Sequence, residues 1–180
     1  MDDIVRQAIA KWPRVPHCFG WLGLDARGRW YLRDAAAQAL GAFGSGVPGA
    51  RGELLRHDKL IDFIGRNYEA DEFGQWFFQN GPQRVYVELE CTPWVWRVHA
   101  DGLVLAHTGQ PAAVQGLWLD EAGRVYLQTD RGIGLVHSQD VVLIATALEQ
   151  GRWSPQSILA AEVPARFGFV LRPERRSGAA

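Results

Sequence analysis

Cysteine is scarce in this chain, with only Cys18 and Cys91 among 180 residues. Two thiols exclude a disulfide scaffold, and a chain of this length buries roughly 70% of its unfolded surface without one. Charge of one sign is equally lacking. A formal net charge of −1 gives no long-range pull toward nucleic acid or an anionic membrane. Lysine is nearly missing, 2 against 17 arginines. No apolar run approaches the roughly 18 residues of a membrane span. The opening stretch MDDIVRQAIAKWP has neither the basic start nor the apolar core of a secretory signal. The sequence therefore predicts a cytoplasmic protein with no membrane insertion and no nucleic-acid partner.

The motifs of common chemistries are also absent. No H-x-x-x-H, C-x-x-C or H-E-x-x-H occurs, so neither a metal nor a cofactor is expected. Gly44–Gly49, GSGVPG, spells G-x-G-x-x-G, but an Ala-rich helical stretch precedes it where the dinucleotide motif needs a strand. A flexible loop is the expectation there. His17 and Cys18 are neighbours, which in extended chain sends their side chains apart and denies them a thiol–imidazole pair. Glu88 and Glu90 alternate on one strand face, the usual pattern of a solvated surface.

What is present is a repeat. DARGRWYL at Asp25, DEFGQWFF at Asp71 and DEAGRVYL at Asp120 share D-x-x-G-[RQ]-[WV]-[YF]-[LF], at spacings of 46 and 49 residues. Asp accepts backbone hydrogen bonds in a turn and Gly supplies a positive φ, so each copy predicts a hairpin turn feeding a strand. Alternation puts Trp30, Trp76 and Val125 at equivalent core positions, with Arg29, Tyr31 and Arg33 on the opposite face. Further hairpins are predicted at Asn80-Gly81, Asp101-Gly102 and Asp130–Gly134.

Helices are predicted from Asp2 or Asp3 to a stop before Pro13, over 57–68 with Asp58 as cap, and over 138–151. SPQSILAAE predicts another helix, capped by Ser154, and RFGFVLRP a closing strand. The fold class is α+β: antiparallel β-hairpins with packed helices, in two similar sheet-plus-helix halves. One compact domain over 1–172 is expected, divisible near His99–Asp101 into 13–99 and 100–172, with a disordered tail at 173–180.

The run DARGRWYLRD through LLRHDKLIDFIGRNYEADEFGQWFFQNGPQRVYVELECTPW resembles an uncharacterised bacterial family that carries a domain-of-unknown-function label. That family pairs a D-x-x-G-x-W hairpin with a helix, a second such hairpin, and a strand ending in a proline–aromatic pair. The resemblance covers Gly20 to Trp96 best, and Gly41–Gly52 departs from it. A related family consists of tandem sheet-plus-helix motifs similar to split pleckstrin-homology domains. The resemblance therefore implies that fold and a signalling role, and it brings no catalytic residue with it.

The leading expectation is a non-enzymatic module, regulatory or signalling, that binds a small ligand or a protein. Eight tryptophans are many for this length, and PWVWRVH sets Trp94 and Trp96 on one strand face. Trp94, Trp96, Arg97 and Arg84 are the candidate ligand-binding residues: flat apolar contact from the indoles, an anionic group held by arginine. A Trp-rich core is the other reading of the same residues. Two alternatives stand beside the module: an enzyme with a site assembled from Cys91, His99 and Glu90, and a homo-oligomeric assembly protein joined through sheet edges.

Overall fold

The computed structural model describes residues 1–12 and 15–175. They divide into two units. The first comprises Met1–Asp25, Arg29–Glu90 and the segment from Phe169; the second comprises Ala26–Gly28 and Cys91–Gly168.

The first unit contains β1 (Cys18–Leu24), β2 (Trp30–Leu32), β3 (Glu53–Leu54), β4 (Tyr68–Ala70), β5 (Trp76–Asn80) and β6 (Gln83–Leu89). They form one sheet in the order β3-β2-β1-β6-β5-β4, antiparallel except for the central β1–β6 pair. The sheet curls. Trp30 on β2 and Tyr68 on β4 meet edge to face with ring centroids 5.2 Å apart, although their strands stand near opposite flanks. Three helices accompany it: α1 (Asp3–Lys11), α2 (Ala35–Ala39) and α3 (Asp58–Arg66). α3 is capped by His57, whose Nδ1 accepts from the Leu60 N–H at 3.2 Å, and not by Asp58, which is the first helical residue.

The second unit holds β7 (Trp94–Val98), β8 (Val104–Ala106), β9 (Pro111–Ala112), β10 (Val114–Leu119), β11 (Val125–Thr129), β12 (Gly132–Val136) and β13 (Pro155–Ser157). Their order is β13-β10-β11-β12-β7-β8-β9. Helices α4 (Val141–Glu149) and α5 (Val163–Phe167) belong to this unit. Its sheet is again mostly antiparallel, with parallel pairs β12–β7 and β10–β13. The α+β class and its two sheet-plus-helix halves are therefore as the sequence reads.

Two local expectations are corrected. Pro155 opens strand β13 instead of a helix, because Leu117–Leu119 offers a parallel edge and an edge strand tolerates a residue without an N–H. RFGFVLRP forms no strand: Val163–Phe167 is helix, Gly168 ends it at φ 66, and the chain beyond makes isolated backbone bonds. The division expected near His99–Asp101 falls inside the β7–β8 hairpin, closed by His99 N–H to Leu103 O at 2.9 Å; the units part at Glu90–Cys91, after β6 ends. Within the expected tail, Glu174 N–H donates to Gln75 Oε1 at 2.7 Å. Its last five residues lie outside the described residues; at the other end of the chain α1 stops at Lys11 with Trp12 as its C-cap, before Pro13 as expected.

The three D-x-x-G turns share one construction. Oδ1 of Asp25, Asp71 and Asp120 accepts the N–H four residues on at 2.8, 2.9 and 2.8 Å, while Gly28, Gly74 and Gly123 sit at φ 77, 75 and 76. In the first and third copies the other carboxylate oxygen takes an arginine Nε and a tyrosine hydroxyl, Arg29 with Tyr31 and Arg124 with Tyr126. In the second copy the tyrosine position is Phe77. Its strand neighbour Tyr86 supplies the hydroxyl instead, 3.2 Å from Asp71.

Trp30 and Val125 are core as expected, while Trp76 is half-buried. The opposite face is not simply polar: Tyr126, Phe77 and Arg33 are buried too.

Candidate functional site

The first unit leaves an open apolar cleft. Leu22, Leu32, Phe78 and Val85 supply sheet residues to it, Leu60 and Ile64 of α3 line one part, and Ala36, Ala37 and Leu40 another. Its volume is about 770 Å³, within the size range of small-molecule sites. Asp34, Glu53 and Asn80 add polar groups. Trp21, Leu32 and Leu40 are 50%, 47% and 50% exposed, a concentration of large apolar side chains left in water.

The short α2 stands because its neighbours hold it. Asp34 caps it, accepting from the Ala37 N–H at 2.8 Å. Arg33, buried beneath, donates from Nε to Ala50 O at 2.7 Å, from Nη2 to Gly41 O, and from Nη1 to the Glu88 carboxylate. Glu88 also accepts the Phe43 N–H at 2.8 Å. Phe43 lies so close to Gly23 that a Cβ there would be 2.5 Å from the ring. The glycine-rich stretch is thus a loop, but Phe43 and Ala50 pin it down inside the protein. Glu88 is correspondingly a buried ion-pair partner and not a solvated surface acid; Glu90 pairs with Arg51 at the half-exposed end of the strand.

A second cavity of the first unit is polar, about 510 Å³, and lined by His17, Arg33, Glu88, Arg172 and Arg175 among others. The cavities use opposite faces of β6, because Val85 lines the apolar one and Glu88 the polar one.

The residues expected to bind ligand are placed as follows. Trp94 and Trp96 are buried at 5% and 0% exposure, stacked with centroids 5.8 Å apart. Their indole N–H groups donate to Arg131 O at 2.8 Å and Leu127 O at 2.9 Å. Arg97 grips Asp140 through Nε at 2.6 Å and Nη2 at 3.1 Å. Arg84 belongs to the first unit, its guanidinium 4.4 Å from the Phe77 ring centre. The strand thus brings Trp94, Trp96 and Arg97 together within the second unit, as core and as an ion pair.

Cys91 Sγ lies 3.9 Å from the Tyr126 hydroxyl. That hydroxyl donates to Asp120 at 2.8 Å, and burial, with Cys91 and Asp120 nearby, pushes its ionisation well above the ordinary tyrosine range. Tyr126 is thereby no base for the thiol near neutral pH. His99 is exposed in the β7–β8 turn. Among the described residues, no three His, Cys, Asp or Glu side chains gather where a metal ion could sit. Among the same residues, no helix is long and apolar enough to cross a membrane.

Asp120 and Asp140 carry a pH dependence. Burial disfavours their charged forms. Hydrogen bonds outweigh it, from Arg124 and Tyr126 on Asp120 and from Arg97 and Val98 on Asp140, so both ionise below the usual carboxylate range. A carboxylate lowered on folding stabilises the protein above its unfolded pKa of about 3.9, and that contribution drains as pH falls through the lower folded value. Stability measured by urea unfolding is expected to drop below about pH 4. Asp120→Asn should be less stable at neutral pH by about 1–3 kcal/mol and should show a flatter acid decline. An unchanged acid slope in Asp120→Asn and Asp140→Asn would remove these residues from the account.

Fold and site together define an α+β protein of two sheet-plus-helix halves, one of which bears an apolar cleft. Residues 1–174 match the family DUF2944, "Protein of unknown function (DUF2946)", and the chain belongs to that family. Two solved structures are similar to it. A DUF1285 family protein from Shewanella baltica OS155 is 15% identical, with a TM-score of 0.48, over 70% of this chain and 91% of that one. A DUF1285 family protein from Silicibacter pomeroyi DSS-3 is 13% identical, with a TM-score of 0.47, over 80% and 83%. No curated protein matches the chain.

Cleft residues Trp21, Leu32 and Leu40 escaped the sequence reading. CFGWLGL and YLRDAAAQAL look like ordinary strand and helix, and nothing local says that their apolar side chains stay uncovered.

Proposed function

We propose that this protein is a non-enzymatic binding module that takes a small, largely apolar ligand into the cleft of its first unit. The half-exposed trio Trp21, Leu32 and Leu40 carries the reading, since leaving these side chains in water costs stability that a ligand would recover. Polar Asp34, Glu53 and Asn80 would orient such a ligand. The regulatory or signalling setting comes from the family resemblance.

An uncharged fluorescent probe, N-phenylnaphthylamine, tests this directly. Saturable binding is expected, and Leu32→Glu or Leu40→Glu should weaken it at least about tenfold, the cost of setting a charge against an apolar ligand. Both positions are already half in water, so the unfolding midpoint should hardly move. No saturable binding, or binding indifferent to both variants, would sink the proposal. If Leu40→Glu instead dissolves a dimer, a second copy of the chain is the occupant and the small-ligand reading falls.

A further inference from the structure

We propose that the polar cavity of the first unit is a second site, one that binds a doubly charged phosphate group. Besides Arg33, which Glu88 occupies, three side chains able to hold an anion line it: His17 ahead of β1, and Arg172 and Arg175 on the returning C-terminal segment. Among the described residues neither arginine makes an ion pair, and Glu174 between them pairs with neither. Two carboxylates stand in the wall: Glu88, already committed to Arg33 and the Phe43 N–H, and Glu174. With Arg33 and Glu88 paired, Arg172 and Arg175 face the single carboxylate of Glu174, so positive charge is still in excess at this cavity, in a chain whose overall formal charge is −1.

His17 reports the same field. Burial, then Arg84 and Arg175, lower its pKa below the ordinary histidine value. Its Nδ1 accepts the Arg84 backbone N–H at 3.4 Å, so the proton of the neutral ring sits on Nε2. That leaves an N–H donor for an acceptor-rich ligand. Arg84 itself is partly spent, over the Phe77 ring and near the Tyr86 hydroxyl, which donates to Asp71. Two guanidiniums and an imidazole N–H match three phosphate oxygens, whereas a carboxylate has only two oxygens to offer three donor groups.

The segment carrying the arginines is fixed. Leu89 N–H donates to Leu171 O at 2.8 Å, Val170 N–H to Gly74 O at 3.0 Å, and Glu174 N–H to Gln75 at 2.7 Å. These bonds hold the backbone that carries both arginines beside the cavity, so only their side chains need ordering when a ligand arrives.

The test is an NMR titration of the full chain at about pH 7.5, above the second ionisation of a phosphate monoester near 6. The probes are glycerol phosphate and a soluble short-chain phosphatidic acid, each against chloride at equal ionic strength. His17 ring resonances should move saturably with phosphate and not with chloride. Arg172→Ala/Arg175→Ala should weaken binding at least about tenfold, and because both side chains are exposed the fold should survive. Equal affinities would identify a small soluble phosphate as the ligand; a tenfold preference for the phosphatidic acid would identify a lipid headgroup. No His17 response to either probe, or a response unchanged in the double variant, overturns the site. The two readings are tested separately although Trp21 and Arg33 line both cavities, because Leu32 and Leu40 line only the apolar one and Arg172 and Arg175 only the polar one.

Discussion

Replacing Glu88 by alanine is expected to lower the unfolding free energy by about 3–5 kcal/mol, the usual consequence of removing one partner of a buried ion pair. The reason is what remains. Arg33 has 1% of its side chain exposed, so water cannot take the place of the lost carboxylate. Without the carboxylate it keeps only neutral carbonyl acceptors, chiefly Ala50 O and Gly41 O. The Phe43 N–H loses its acceptor as well, which releases the loop at the point where it is pinned. A domain is typically stable by about 5–15 kcal/mol, so this single change removes a large part of the margin. Glu88→Gln should cost less, because an amide oxygen still receives the Phe43 N–H. Urea unfolding followed by tryptophan fluorescence measures both, and a loss under about 1 kcal/mol for alanine would refute the role given to this pair.

Gly134→Ala should produce the second large loss, about 1–3 kcal/mol and toward the upper end of what overpacking costs. A Cβ at Gly134 would stand 2.7 Å from the backbone oxygen and from Cβ of Trp94, and 2.4 Å from Nε1 of Trp96. Gly134 is paired to Trp94 on one side and to Leu127 on the other, so the strand cannot move away from either. Gly123→Ala is the informative comparison. There a Cβ meets nothing within 4 Å, and only the positive φ of 76 is penalised, at about 1–2 kcal/mol. Thermal unfolding should rank Gly134→Ala as the more damaging; equal losses would mean that the stacked indoles yield readily.

These two variants also mark the limit of what the sequence discloses. The D-x-x-G turns were legible because their chemistry is local: an Asp, a Gly and an N–H four residues on are enough to close the hairpin. Arg33 with Glu88 was not, for the partners lie 55 residues apart and each alone looks like a surface charge. Pro155 misled for the same reason, since its strand exists only by virtue of Leu117–Leu119. Trp94 and Trp96 illustrate a different ambiguity. Their shared face was readable, but a buried stack and a binding groove have the same periodicity, and only the carbonyls of Arg131 and Leu127 decide for the stack. Neither cavity was foreseen. The apolar one depends on where α2 and α3 fail to meet, and the polar one on a tail segment returning to β1.

That returning segment has a consequence for how the protein is made. The first unit receives the backbone bonds of Val170, Leu171 and Glu174 from chain that follows the whole of Cys91–Gly168. At bacterial or eukaryotic elongation rates the ribosome needs on the order of ten seconds to deliver that stretch. Throughout this interval the Leu89 N–H has no Leu171 carbonyl to bond, and the arginine side of the polar cavity has not yet been synthesised. The second unit, whose strands and helices all lie within Cys91–Gly168, is fully translated before the first can be completed.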